Sequence, residues 1–348
     1  MNGEPDPAVA VSSAGTTRWL MEEPGVRAWG VWTEKIPECG EDAEPLLEHH
    51  RPTWRGVVGV FDGAGGAGHA AADADRFGRK VTSAWVASRV AALATREWFR
   101  GIVSRPGPVH RADVEELEDR IGDALKLMRP KERTRLVGSM VRSMPTTMAA
   151  ATYVLVDGEV EARVLWAGDS RVYALDPVEG LRALTRDHTE EQDALEQLRQ
   201  DPPMENILNS SNDWRLHSAR VRLPRQCLLV CATDGFFGYV EAPHLFEQLL
   251  LESLEAVTRQ EELSGELERA VRSYTGDDAS LAVVAFGFED FDEMRDGFRG
   301  RLHTLHREFD PPPREVDQET YRAWQEASWR RYRPAYEALM PSEREWAE

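Results

Sequence analysis

The stretch TTMAAATYVLVDGEVEARVLWAGDSRVYAL, residues 146–175, decides the fold class. Two apolar runs flank Asp157-Gly158, a pair suited to the tight turn of a β-hairpin. A second turn at Gly168-Asp169 leads into a third apolar run, so the segment reads as three consecutive strands. Upstream, RGVVGVFDG (55–63) is β-branched, punctuated by glycine and ends in a turn, as a buried strand does. Downstream, QCLLVCATDG (226–235) and DDASLAVVAFGF (277–288) repeat that character.

Helical patterns lie to either side of these strands. The alanine-rich segment 69–99 has apolar residues at helical spacing and predicts one or two long helices ending at Phe99. Further helices are expected at Val114 to Met128, at Lys131 to Met144, and as a pair between Pro243 and Ser273. The strands cluster instead of alternating with helices, which argues against a doubly wound parallel sheet. The expected class is α+β: antiparallel sheets covered by helices. Residues 1–17 read as an untied, disordered tail, 18–288 as the main domain, and 289–348 as a helical, aromatic-rich extension beyond it.

The chain has 348 residues, 41% of them hydrophobic, which is enough for a sizeable core without disulfides or a structural metal. Its 42 basic and 61 acidic residues leave a net charge of −19, a field that repels nucleic acid and anionic membrane surfaces. No apolar run reaches the roughly 18–20 residues of a membrane span, and the N-terminus lacks a secretory pattern. Cys39, Cys227 and Cys231 show no metal-ligand spacing, and the last two read as core filling. The expected location is a reducing cytoplasm.

Four aspartates stand out. Asp62-Gly63 and Asp234-Gly235 end strands, Gly168-Asp169 joins two, and Gly276-Asp277 opens one. Each alone is an ordinary turn. Together, strand ends in a packed sheet can bring them into one cleft, where their like charges require a cation. Carboxylates, main-chain carbonyls and water suit Mg²⁺ or Mn²⁺, and no His/Cys cluster points to zinc.

These segments resemble the motifs of the metal-dependent serine/threonine protein phosphatases, the type 2C or PPM-like family. Val60 to Gly66 (VFDGAGG) is similar to its D-G-x-G-G segment, and Gly168-Asp169-Ser170-Arg171 to its G-D-S-R. Leu184 to Thr189 (LTRDHT) resembles L-T-x-D-H-S/T, Thr233-Asp234-Gly235 resembles S/T-D-G, and Asp277-Asp278-Ala279-Ser280 resembles D-D/N-x-T/S. Cys39 to Ala43 (CGEDA) looks like the acidic opening of the family. The resemblance runs from about Trp19 to Phe288 and implies a four-layer α/β/β/α sandwich of two antiparallel sheets flanked by helices. It implies hydrolysis of phosphoserine and phosphothreonine in proteins by a metal-activated water, with two or three Mg²⁺ or Mn²⁺ ions. Asp62 would bridge two metals, Gly63 would offer its carbonyl, and Asp234 and Asp277 would complete the first metal. Glu41 or Asp42 would hold water on the second, and Asp169 would serve an additional site. Asp62 and Asp234 are the residues expected to carry the chemistry.

Two departures accompany the likeness. A histidine proposed as general acid in many members is Ala64 here, as in bacterial members that carry alanine or methionine (a D-G-A-G motif). The arginine that binds substrate phosphate four residues before the acidic pair is Pro37, with Lys35 as its nearest stand-in. His69 and the serines Ser170 and Ser280 read as structural residues. Residues 190–216 correspond to a flap beside the site. The reading from another class is a catalytically weak relative serving as a regulatory binding module. In 289–348, Phe291, Met294, Phe298, Leu302, Leu305 and Phe309 recur at helical steps, followed by Tyr321, Trp324, Trp329, Tyr332 and Tyr336, with Pro334 bending or ending the second helix. This stripe packs as scaffold or docks a partner.

Overall fold

The computed structural model describes residues 6–7, 9–13, 16–23, 25–64, 71–74, 80–105, 107–129, 144–156, 158–200, 202–211 and 213–342, with side chains of the N-terminal strands described from residue 20 onward. Among these residues the elements run β1 (Asp6–Pro7), β2 (Val9–Ser13), β3 (Thr16–Glu23), β4 (Val26–Thr33), β5 (Leu46–His50), β6 (Arg55–Val60), β7 (Ala71–Ala74) and β8 (Lys80–Thr82). Then follow α1 (Ser83–Ile102), α2 (Arg111–Leu127), β9 (Met148–Val156), β10 (Glu159–Ala167), β11 (Arg171–Asp176), β12 (Gly180–Ala183), α3 (Ala194–Arg199), β13 (His217–Leu223) and β14 (Cys227–Ala232). The chain closes with α4 (Asp234–Phe237), α5 (His244–Ala256), α6 (Gln260–Arg272), β15 (Ala279–Phe286), α7 (Phe291–Glu308) and α8 (Gln318–Tyr336).

Two antiparallel sheets form the centre. The first has strand order β1-β5-β6-β9-β10-β13, the second β12-β11-β14-β15-β4-β3-β2. Strand side chains alternate between faces. Val58, Val60, Ala149, Ala151, Val164 and Trp166 therefore meet Val172, Leu229, Cys231, Ala282 and Val284 between the sheets. Their neighbours Val57, Phe61, Ala150, Leu165 and Ala167 face α1 and α2 on the outer side. Helices α5 to α8 cover the second sheet through Phe246, Leu250, Leu267, Phe298, Leu305, Trp329 and Tyr336. The molecule is an α+β sandwich of four layers with C-terminal helices.

The C-terminal aromatic stripe is helical and turned inward. Met294, Leu305 and Tyr336 are almost fully buried, and Tyr332 donates to Glu247 Oε2 at 2.7 Å beside the Arg301–Glu247 ion pair. Trp329 donates to Asp193 Oδ2 at 3.0 Å, which ties α8 to the cap of α3.

Several expectations need correction. Residues 71–74 and 80–82, read as part of a helical segment, pair with each other as short antiparallel strands, because sheet contacts override propensity. The long helix begins only at Ser83, after the Thr82 cap accepts from Trp85 N at 3.1 Å. Asp6–Pro7 and Val9–Ser13, expected in an untied tail, run as edge strands, since main-chain pairing asks little of side chains. The helix expected at 131–143, His69 and Gly65-Gly66 lie outside the described residues.

Candidate active site

Strand register carries the acidic motifs to one end of the sandwich. Val60 pairs with Ala149, Ala167 with Met148, Arg171 and Leu281 with Ala232, and Ala279 with Thr33. The chain therefore leaves β4, β6, β10 and β14, and enters β11 and β15, at that same end, with Asp42, Asp62, Asp169, Asp234, Asp277 and Asp278 in the connecting turns. Hydroxyl groups knit these turns together. Thr146 Oγ1 donates to Asp62 O at 2.6 Å, and the Thr147 amide donates to the same carbonyl at 2.9 Å. Thr147 and Ser170 hydroxyls lie 2.6 Å apart, Thr233 Oγ1 donates to Asp42 Oδ2 at 3.0 Å, and Ser280 Oγ donates to Ala43 O at 3.2 Å. Ser170 and Ser280 are thus hydrogen-bonding residues of the turns.

The carboxylates feel one another. Burial, then the charge of Asp278, pushes Asp42 up to about 7 against the hydrogen bonds from Asp62, Ser280 and Thr233. Asp62 is held well above the usual carboxylate range by burial first, then by Asp42, Asp234 and Asp169. Asp42 adds most to the rise in Asp62 after burial, as expected of two crowded acids that resist ionising together. Asp277 is engaged differently: it accepts from Tyr239 Oη at 3.3 Å and from the Asp278 amide at 2.9 Å. The neighbouring Asp278 is the one that faces Asp42. Lys35 has an exposed side chain, while its amide donates to Asp278 Oδ1 at 2.8 Å.

Sequence reading missed what supports the acidic loop. Asp278 Oδ2 accepts from the Glu41 amide at 2.6 Å, so one carboxylate grips the loop at both Lys35 and Glu41. Thr82 Oγ1 donates to Glu41 Oε1 at 2.5 Å, coupling the cap of α1 to the loop. Arg89 on α1 donates to Gly40 O and Glu41 O, both at 3.2 Å, and lies 4.1 Å over the Trp85 ring. Burial lowers its guanidinium to about 10 despite the pull of Asp42, Glu34, Glu44 and Asp278. The second aspartate of Asp277-Asp278 was a visible clue; Arg89 sits within an ordinary helix pattern and gave none.

The residues fit a hard divalent cation in chemistry: every side-chain donor is a carboxylate oxygen, and the acids are crowded enough to need positive charge. Gly63 supports that fit, because a Cβ there would come within 2.6 Å of Glu41 O and push the two acidic turns apart. Among the described residues, no group of three or more His, Cys, Asp or Glu is placed to hold a metal ion.

Gly168 takes φ of +99° and lets its amide donate to His188 Nδ1 at 3.1 Å. That bond puts the ring proton of His188 on Nε2, 2.5 Å from His217 Nδ1. Burial, and then His217, lowers His188 to about 3. The flap expected at 190–216 is tied down: Ile207, Leu208 and Trp214 are buried, and the Leu216 amide donates to Glu118 at 2.7 Å. Arg171, from the G-D-S-R segment, forms a buried ion pair with Asp187 at 2.7 Å and donates to Tyr336 Oη at 3.2 Å.

The protein phosphatase 2C family matches residues 43–272, a span that includes Asp62, Gly63, Asp169 and Asp234 but not Glu41, Asp42 or Asp277. Among solved structures, PppA of Pseudomonas aeruginosa, described as a key regulatory component of its T6SS, matches with a TM-score of 0.51 and 19% identity, covering 76% of this chain and 98% of that chain. The serine/threonine phosphatase PstP/Ppp of Mycobacterium tuberculosis matches with a TM-score of 0.50 and 16% identity, over 75% of this chain and 99% of that one. The catalytic domain of PstP is also known in complex with 2 manganese ions. A sex-determining protein of C. elegans matches with a TM-score of 0.52 and 17% identity, over 80% and 68% of the two chains. At these identities the likeness is one of fold. No curated protein matches the chain.

Proposed function

Because the chain belongs to the protein phosphatase 2C family, we propose that it is a Mg²⁺- or Mn²⁺-dependent phosphatase of phosphoserine and phosphothreonine in proteins, acting in the cytoplasm. The observation that carries this reading is the convergence of Asp42, Asp169 and Asp234 on Asp62, whose carboxyl is raised by all three. Among the described residues, no helix is long and apolar enough to cross a membrane.

Asp62, the Gly63 carbonyl, Asp234 and Asp277 would hold the principal cations, with Glu41 or Asp42 behind a water and Asp169 at an additional site. Bound there, two or three such ions would acidify water and neutralise phosphoryl charge, which is what hydrolysis of a phosphate ester most needs. The protein's own part is placement. Thr146 and Thr147 fix the Asp62 carbonyl, while Asp278 and Arg89 hold the loop that carries Glu41 and Asp42. Ala64 offers no proton, so the leaving group would be protonated by water or depart unassisted. The Arg89 guanidinium is engaged by main-chain carbonyls, so among the described residues exposed Lys35, on the acidic loop, is a cation able to steer a phosphate dianion.

The test is hydrolysis of p-nitrophenyl phosphate and of a phosphothreonine peptide, with and without Mn²⁺, beside Asp62→Asn. Metal-dependent turnover that disappears in the variant supports the phosphatase. Mn²⁺ binding by calorimetry with no turnover on either substrate would leave a binding module in its place.

A further inference from the structure

The opposite end of the first sheet has the inverse charge. The register of β6, β9, β10 and β13 sets out two rungs on one face. In the first, Arg55 pairs with Val154, Val154 with Glu161, and Glu161 with Arg222. In the second, Thr152 pairs with Arg163 and Arg163 with Arg220. A cavity of about 320 Å³ opens over these rungs, roofed by Phe99 and Ile102 of α1 and by Val103, Pro108 and Val109 after it. That volume is at the lower end of the range for small-molecule sites.

Two features of this cavity call for a ligand. Arg163 and Arg220 face each other directly across the ladder, an arrangement that destabilises a sheet. This occurs in a chain with 61 acidic residues against 42 basic ones, so carboxylates were abundant and are not used. The one acid lining the cavity, Glu161, is already paired with Arg222 at 2.9 Å, and nearby Asp113 is paired with Arg105 at 3.0 Å. Among the described residues no carboxylate lies within ion-pair distance of Arg55, Arg163 or Arg220. Their hydrogen-bond partners among the described residues are neutral, with Asp113 acting on Arg55 and Arg163 only from a distance: Arg55 donates to Arg105 O at 2.7 Å, Arg163 to Ser218 Oγ at 2.7 Å, and Arg220 to Val109 O at 3.4 Å and lies 3.3 Å from His110 Nδ1. The buried Nε of Arg163 has no hydrogen-bond partner. Beside this charge, Phe99, Ile102 and Val103 present apolar surface.

We propose that the cavity binds a small amphipathic organic anion, its acidic head held by Arg55, Arg163 and Arg220 and its apolar body lying against Phe99, Ile102 and Val103. Guanidinium forks bind a planar or tetrahedral acid through paired, charge-assisted hydrogen bonds. The head would supply the charge that the Arg163–Arg220 rung lacks. Burial first, then Arg220, depresses Arg163, and burial depresses Arg55, each against the pull of Asp113; a bound anion would add to that pull. The site lies about 20 Å from Asp62, seven residues along β6 at the rise of a strand, and none of its residues belongs to the acidic centre.

The experiment uses the full chain without added metal and the fluorescent aromatic sulfonate 8-anilinonaphthalene-1-sulfonate as probe. Saturable one-to-one binding is expected, displaced by decanoate and not by inorganic phosphate. Arg163→Gln combined with Arg220→Gln should weaken the probe at least about tenfold, since charge-assisted bonds are lost. Ile102→Trp, which fills the cavity and spares the charges, should do the same. The melting temperature of the double variant should hold or rise, because like-charge repulsion is removed, and Mn²⁺-dependent hydrolysis of p-nitrophenyl phosphate should persist. A probe that does not saturate, or that binds the two variants within twofold of the parent, overturns the site. Displacement by inorganic phosphate as effective as by decanoate overturns the apolar half of the proposal. A double variant that melts lower while retaining the probe assigns the arginines to structure alone.

Discussion

The acidic end of the sandwich, to which both sheets bring turns, and the far end of the first sheet carry opposite unbalanced charge. At one end Asp42, Asp62, Asp169 and Asp234 crowd together; at the other Arg55, Arg163 and Arg220 do. Their support differs. The turns that carry the acids are set by hydrogen bonds from Thr146 and Thr147 to the Asp62 main-chain carbonyl, from Thr233 to the Asp42 carboxylate and from Ser280 to the Ala43 carbonyl, and a neighbouring carboxylate, Asp278, clamps the loop. The arginines reach only a hydroxyl, two main-chain carbonyls and an imidazole nitrogen. The first arrangement is preorganised and suits demanding geometry such as bond breaking. The second is adjustable and suits recognition of a head group. Frustrated charge at a strand end marks a site in both cases, and the quality of its support indicates what kind.

The strongest way to break this comparison is Asp234→Asn. If the acidic end is the reacting one, Mn²⁺-dependent hydrolysis should fall by about a hundredfold or more, the scale for losing one preorganised electrostatic partner. Without metal the melting temperature should stay level or rise, because one of the charges raising Asp62 has gone. A large loss of metal-free stability would make Asp234 a structural cap.

An intermediate effect comes from pH, since each end holds a buried neutral histidine. His49, beside the arginine end and 3.2 Å from Tyr153 Oη, is lowered to about 4, by burial first. His188, at the acidic end, is lowered to about 3, also by burial first. The unfolded chain protonates both near pH 6.5 and the folded chain does not. Their contribution is therefore intact above that pH and is lost as pH falls towards 4, by about 2–3 kcal/mol each. Asp42, pushed up to about 7, has the opposite slope: without metal, protonating it on descent through 7 relieves the fold. Melting curves from pH 7.5 to 4 for the parent, His49→Gln and His188→Gln separate these contributions. Each variant should lose acid sensitivity to a similar degree, because burial outweighs the sign of the surrounding charge. A much larger change in His49→Gln would mean that the neighbouring His50 and Arg51, which also lower it, outweigh burial.

The smallest effect is expected at Lys35. Its side chain is exposed, so Lys35→Ala should raise KM for a phosphopeptide by less than about threefold with kcat unchanged, the mark of weak, uniform binding. A tenfold rise would make Lys35 a genuine phosphate ligand and give the acidic end a cationic component comparable to that of the other end.

Much of this was legible in the sequence because the inner strands are nearly continuous apolar runs. LLVCA in β14 and the block of residues 146–175 could hardly be anything else. Strands whose buried residues are polar were not legible. In β5, Glu48 and His49 are buried, the former because Arg96 and Arg100 on α1 reach it at 3.2 and 2.7 Å. In the edge strand β13, HSARVRL, only Leu223 is fully buried and most side chains are half-buried, so no apolar run announces it. The aspartates could be found because each sits in a turn beside an apolar strand. Their supports could not: the Glu41–Asp278 bond joins residues 237 apart, and Arg89 meets the acidic loop 49 residues upstream. The Arg163–Arg220 rung likewise exists only through register.

Such long separations also order events in time. Arg171 and Asp187 emerge close together during synthesis, and β11, which holds Arg171, can pair as soon as β14 is made. Tyr336, which closes over Arg171, lies 165 residues further along. Until α8 arrives, the second sheet must keep that guanidinium facing water and its outer apolar surface without the cover of Trp329, Tyr332 and Tyr336. The last helix is then the slow closure of a high-contact-order fold, and the interval before it docks is when a nascent chain would most need a chaperone.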